Sequence, residues 1–166
     1  RKFGDSTWND GVDSKIPYVC NLPSGKKICL FFYDGDRSQA VAFKGLLADG
    51  KGFAEYLTGA YDNRKENQLL HIATDGESYG HHHRYGDMAL AYCLRHIEDN
   101  NLAQITNYGQ YLELSPPEHE VEIHDNSSWS CVHGVERWRS NCGCNTGGRG
   151  DWNQEWRKPL RESLDW

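Results

Sequence analysis

Residues 69–83 read Leu69-Leu70-His71-Ile72-Ala73-Thr74-Asp75-Gly76-Glu77-Ser78-Tyr79-Gly80-His81-His82-His83. A short apolar run, 69–74, ends on two carboxylates, two glycines and three consecutive histidines. An apolar run of this length bounded by turn residues predicts a buried strand, and a polar cluster at its carboxyl end is where parallel α/β folds keep their chemistry. The spacing of the remaining segments is consistent with that fold. A β-branched and aromatic run over 27–33 predicts another strand, followed by helices over 38–48 and about 52–60. Apolar residues Ala89, Leu90, Cys93, Leu94 and Ile97 predict an amphipathic helix over 85–98, stopped by Asn100-Asn101. A third strand over 104–106, a short helix to Leu114 and a fourth strand over 120–124 complete the alternation. Strands that alternate with helices predict a parallel sheet covered on both faces. Residues 1–16, rich in Gly, Asp, Asn and Ser, predict an irregular lead-in to a single domain over 1–166.

In such a fold the strand ends converge. Asp34-Gly35-Asp36, the stretch 75–83, Thr106-Asn107 and the stretch 124–130 would then share one cleft. Asp75 follows its strand directly, so its carboxyl group is expected beside apolar walls, a setting that suits a general acid. Glu77 is placed to hold Asp75 or a neighbouring histidine. A purely structural alternative is an aspartate capping the next turn. Consecutive side chains of an extended segment point alternately, so of the histidine triplet only His81 and His83 would share a direction. That leaves a metal set of Asp75, His81 and His83 as a rival reading.

The 166 residues suffice for a real core. The net charge of −6 and pI near 5.7 exclude the basic face of a nucleic-acid binder, so no nucleic-acid partner is expected. No apolar run is long enough to span a bilayer, and no signal peptide is visible, which favours a cytoplasmic protein without a membrane partner. Six tryptophans and nine tyrosines are rings that can cover sugar faces or pack a core. Cys20, Cys29 and Cys93 lie in or beside apolar segments and are expected to be buried thiols. Arg137, Arg139 and Arg149 are expected to be solvated or paired with acids. Trp156, Leu160 and Leu164 form a helical stripe still running at Trp166, as in a piece of a longer chain.

Cys131, His133, Cys142 and Cys144 stand in a C-x-H-x8-C-x-C arrangement. Four soft ligands within fourteen residues predict a structural zinc site, with an iron–sulfur cluster, a disulfide or free thiols as alternatives.

The stretch "ATDGESYGHHH", 73–83, resembles the fourth conserved region of glycoside hydrolase family 57, whose members carry an Asp-x-Glu-x-x-Gly-His pattern at a strand end. "NSSWSCVHGVERW", 126–138, resembles the family's later Ser-Ser-Trp region, and "CNLPSGKKICLFFYDG" (20–35) with "CGCNTGGRGDWNQEW" (142–156) is similar to a poorly characterised bacterial branch. The resemblance covers most of the chain from Pro17 onward. It implies the C-terminal portion of an incomplete (β/α) barrel that acts on α-glucans or oligosaccharides by a retaining mechanism, hydrolysing, transferring or branching. It places the general acid/base at Asp75, supported by Glu77, Gly80 and His81, and a sugar-stacking ring at Trp129. Tyr79, His81, His82 and Asp34 are then substrate contacts, and catalysis needs no cofactor.

The family's nucleophile is a glutamate on an earlier strand for which this chain has no matching segment. The isolated chain is therefore expected to be inactive and to need the rest of the same catalytic barrel. Two other classes remain on the sequence: a non-catalytic carbohydrate-binding or scaffold module, and a metal-dependent, polysaccharide deacetylase-like hydrolase.

Overall fold

A computed structural model describes residues 11–128, 130–145 and 147–166. They fall into two compact units that part between Glu122 and Ile123. The irregular lead-in lies outside the described residues as far as residue 10, and 11–16 carry neither helix nor strand.

The first unit contains one small sheet, ordered β2-β1-β3. Strand β1 (Tyr18–Asn21) pairs antiparallel with β2 (Lys27–Leu30) and parallel with β3 (His119–Glu120). The β1–β2 turn closes by Leu22 N–H donating to the Lys26 carbonyl at 2.8 Å and Gly25 N–H to the Leu22 carbonyl at 2.9 Å. Gly25 sits at φ 79°, left-handed backbone that a residue without Cβ adopts at no steric cost.

This sheet corrects the expected fold. It is mixed and three-stranded, with no parallel, barrel-like arrangement of strands. Residues 69–74 and 104–106 belong to no strand or helix. Leu69 N–H donates to the Lys15 carbonyl at 2.8 Å and Ala73 N–H to Ser38 Oγ at 3.2 Å. Leu69 is buried and Ile72 packs on the helical core, whereas Ala73 and Ile105 are exposed, so the apolar run imitated a sheet strand without being covered like one. Within the first unit the stretches around Tyr33 and Asp75 border one groove, which Thr106 and Asn107 do not line.

The helices follow the sequence pattern closely. They are α1 (Gly35–Phe43), α2 (Gly50–Thr58), α3 (Gly86–Asp99) and α4 (Tyr108–Leu114). Three of the four begin on a side chain that caps: Asp34 accepts from Arg37 N–H, Asp49 from Lys51 N–H, and Asn107 from Gln110 N–H. The apolar stripes of α1, α2 and α3 meet in a core of Val41, Leu47, Phe53, Ala54, Cys93 and Ile97. Ile72 and Tyr79 pack against it from the 69–83 segment. Cys20 and Cys93 are buried as expected, but Cys29 is exposed, because β2 is an edge strand with most of its residues in solvent.

The second unit, Ile123–Trp166, has no strand among its described residues. It carries a short α5 (Glu136–Arg139) and α6 (Arg157–Asp165), joined by an irregular loop. Arg139 pairs with Glu136 and Arg149 with Asp151, as the abundance of acids predicts. No described helix is long and apolar enough to cross a membrane.

Candidate functional site

The Asp75 loop is a turn of 3-10 helix, Gly76–Ser78, with Asp75 at its N-cap position. Unlike the other capping residues, Asp75 makes no side-chain cap hydrogen bond. Among the described residues its carboxylate has no hydrogen-bond or ion-pair partner, and it is exposed rather than sunk beside apolar walls. It lines a groove of about 460 Å³ together with Tyr33, Gln39, Phe43, Thr74, His82 and His83. Asp75 is the one carboxylate on that groove.

The neighbouring side chains are held in place. Glu77 reaches His82, with Oε2 at 3.4 Å from Nε2, rather than Asp75. Its backbone carbonyl also accepts from His82 N–H at 2.9 Å. His83 Nε2 lies 2.8 Å from the Ala42 carbonyl. A carbonyl only accepts, so Nε2 carries the proton and Nδ1 is left as an acceptor. His81 stands in an edge contact with His82, ring centroids 4.9 Å apart, and does not line the groove. The Tyr79 hydroxyl bonds Thr74 Oγ1 at 2.9 Å while its ring packs on the core. Tyr79 is thus a support beneath the groove and not a sugar platform within it. Tyr85, two residues past the triplet, sits at φ 64°. A bulky non-glycine residue in left-handed backbone is strained, and such strain concentrates at binding and catalytic loops.

Asp34, expected to contact substrate or to support loop structure, makes structural contacts. It is buried, caps α1 and pairs with Arg37 Nη1 at 2.7 Å, so its carboxylate is fully engaged in structure. Trp129 lies outside the described residues. Sequence reasoning overlooked Tyr33, Gln39 and Phe43. The available signal was Tyr33 itself, the aromatic residue immediately before the Asp34 cap and 58% exposed. A larger, mostly apolar cavity of about 670 Å³ lies between α2, α3 and α4 and includes neither Asp75 nor the histidine triplet. His71 borders it, bonded through Nε2 to the Ser14 carbonyl at 3.0 Å and through Nδ1 to the Tyr108 hydroxyl at 3.1 Å. Both ring nitrogens of His71 are therefore satisfied.

The best-formed ligand set is in the second unit. The side-chain donors of Cys131, His133, Cys142 and Cys144 all lie within 4.8 Å of one another, a group that can hold a metal ion. It is the one such group of three or more histidine, cysteine or acidic residues among those described, and Asp75, His81 and His83 do not form another. Cys131 Sγ is 3.9 Å from Cys142 Sγ, 3.7 Å from Cys144 Sγ and 3.5 Å from His133 Nδ1. Cys144 Sγ is 3.3 Å from His133 Nδ1. Zinc–sulfur bonds of about 2.3 Å and zinc–nitrogen bonds of about 2.0–2.1 Å at tetrahedral angles put sulfurs ~3.8 Å apart and sulfur and nitrogen ~3.5 Å apart. These four of the six edges lie close to those values and are far longer than the ~2.05 Å of a disulfide. All six cysteines are free.

Local geometry explains how a loop presents these donors. Gly134, at φ 61°, turns the chain so tightly that a Cβ there would sit 1.9 Å from the Asn126 carbonyl oxygen. That oxygen accepts from Val135 N–H at 3.0 Å, which fixes the bend carrying Cys131 and His133. A hydrogen bond from the Cys144 backbone holds the Cys142 thiol below its ordinary pKa. The Cys144 thiol is raised, first by its hydrogen bond with Cys131.

Comparison with protein-family models gives no match, and comparison with curated proteins gives none either.

Proposed function

We propose that this chain carries the proton-donating face of a retaining glycoside hydrolase or transglycosylase that acts on α-glucans, with Asp75 as general acid and then base. The observation that carries the reading is the state of Asp75. Asp34, Asp49 and Asn107 spend their side chains on helix caps, whereas Asp75 occupies the same kind of position and leaves its carboxylate free on a groove wall. The resemblance of 73–83 to glycoside hydrolase family 57 supplies the chemistry for that carboxylate. Asp75 protonates the glycosidic oxygen as the bond breaks, then takes a proton from the incoming water or sugar hydroxyl. His82, steadied by Glu77, and the free Nδ1 of His83 offer hydrogen-bond partners to sugar hydroxyls. Tyr33 offers a ring face.

A retaining mechanism requires a nucleophilic carboxylate about 5–5.5 Å from the acid. Asp75 is the one carboxylate among the described residues that line the groove, so this reading calls for a nucleophile from elsewhere. The test uses the complete enzyme. Asp75→Asn should slow hydrolysis of unactivated α-glucans by roughly 10²–10⁴-fold. Substrates whose leaving group needs no proton should still be cleaved in the first step, with azide trapping the glycosyl-enzyme. Unchanged rates on α-glucan would refute the assignment.

The ion at the Cys131–His133–Cys142–Cys144 centre is, in this proposal, a structural zinc. Four protein donors leave no open position for substrate or water, and three thiols with one imidazole form a donor set that suits zinc.

A further inference from the structure

Resting on the zinc reading, we propose that the centre extends to Arg157, a positioning residue through which metal occupancy and the seating of helix α6 control one another. Three thiolates and a neutral imidazole around a divalent ion leave one net negative charge. Arg157 Nη1 lies 3.7 Å from Cys142 Sγ and 3.2 Å from Gln154 Oε1. Gln154 in turn donates from its side-chain amide to the Cys144 carbonyl, and from its backbone to Asn141 Oδ1 at 3.3 Å. One arginine and one glutamine thus bind the second cysteine pair to the first turn of α6. A guanidinium beside a metal-bound thiolate offsets its charge, and outer groups of this kind orient ligands and tune affinity.

α6 also lies against α5, but that contact buries none of its side chains, and Arg157 is the one residue that is half-covered. Nine residues of helix are unstable alone in water. The hydrogen bonds at Arg157 therefore join the first turn of the helix to Cys142, one of the four ligands, so that the ligand loop and the helix are held by the same side chain. Linkage makes the effect mutual: whatever loosens α6 weakens metal binding by the same factor.

The experiment is a Co(II) and Zn(II) titration of the chain and of Arg157→Met and Arg157→Lys, paired with amide exchange over residues 160–165. Arg157→Met should weaken both metals by roughly 10–100-fold and shift the thiolate-to-cobalt charge-transfer absorption. Arg157→Lys, which keeps the charge, should recover most of the affinity. Chelation of the wild-type chain should abolish protection at 160–165. Wild-type affinity and spectrum in Arg157→Met, or protection of α6 indifferent to metal, would overturn the coupling while leaving the zinc centre intact. Failure of the wild-type chain to take up either metal would overturn both.

Discussion

Arg37 meets Asp34 across 2.7 Å at the start of α1, and the same carboxylate accepts the Arg37 backbone N–H at 3.1 Å. Asp75 opens its own helical turn with neither kind of partner. Asp34→Ala should lower stability by about 0.5–2 kcal/mol, the ordinary value of an N-cap. Asp75→Asn should change it by less than about 0.5 kcal/mol. Denaturant unfolding of the two variants checks the contrast, and a Asp75 variant as unstable as the Asp34 one would show that Asp75 is structural.

Phe53 is fully buried at the centre of the helical core, whereas Phe43 at the end of α1 is 83% exposed. Phe53→Ala should cost about 3–5 kcal/mol. Phe43→Ala should leave the unfolding midpoint unchanged, yet weaken any sugar bound in the groove it borders. Calorimetry and ligand titration separate the two effects.

Gly134→Ala should disable the proposed metal centre although it removes none of the four candidate ligands. The added Cβ collides with the Asn126 carbonyl, and the backbone must move the Cys131–His133 pair away from Cys142 and Cys144. Zinc content after dialysis should fall toward zero in this variant, while Gly148→Ala, where the added carbon meets nothing, should keep its metal.

Burial pushes the Cys93 thiol from 9.0 up to about 11. The folded state therefore favours the protonated thiol. Its contribution to stability is complete below about pH 9 and is lost as pH rises from there toward 11. Native protein at pH 8 should be alkylated at exposed Cys29 and spared at Cys93, as peptide mapping would reveal.

At the acid end, hydrogen bonds from Arg64 first and Lys15 second hold the Asp62 carboxyl well below the usual range. A depressed carboxyl stabilises the fold above the unfolded value near ~3.9 and ceases to do so as pH falls below it. Asp62→Asn should flatten the acid limb of the stability curve between about pH 5 and 2, and an unaltered limb would remove Asp62 from the cause.

The helices were readable because each carries its own signal. Ala89, Leu90, Cys93 and Ile97 mark the core-facing side of α3 in a window shorter than the helix, and Asn107 announces α4. Residues 69–74 misled for the opposite reason. An apolar run does not say what it packs against, and here Ile72 meets the core of Phe53, Cys93 and Ile97 where a sheet neighbour was expected. Strand β1 escaped notice because the prolines at 17 and 23 flank it and its alternation is short. Of the candidate sites, the Cys/His ligands were legible from residue type alone. Arg157 was not, since nothing in a linear spacing marks which arginine folds back on Cys142.

Strand β3 reaches β1 from roughly a hundred residues away along the chain, while β2 follows β1 after a tight turn. A ribosome releases the first of these pairings early and withholds the second until His119 has been made. At ordinary elongation rates the interval is roughly 5–20 s. All four helices α1 to α4 are synthesised within it. The edge of β1 that will receive β3 therefore waits, unpaired, through the birth of the helical core.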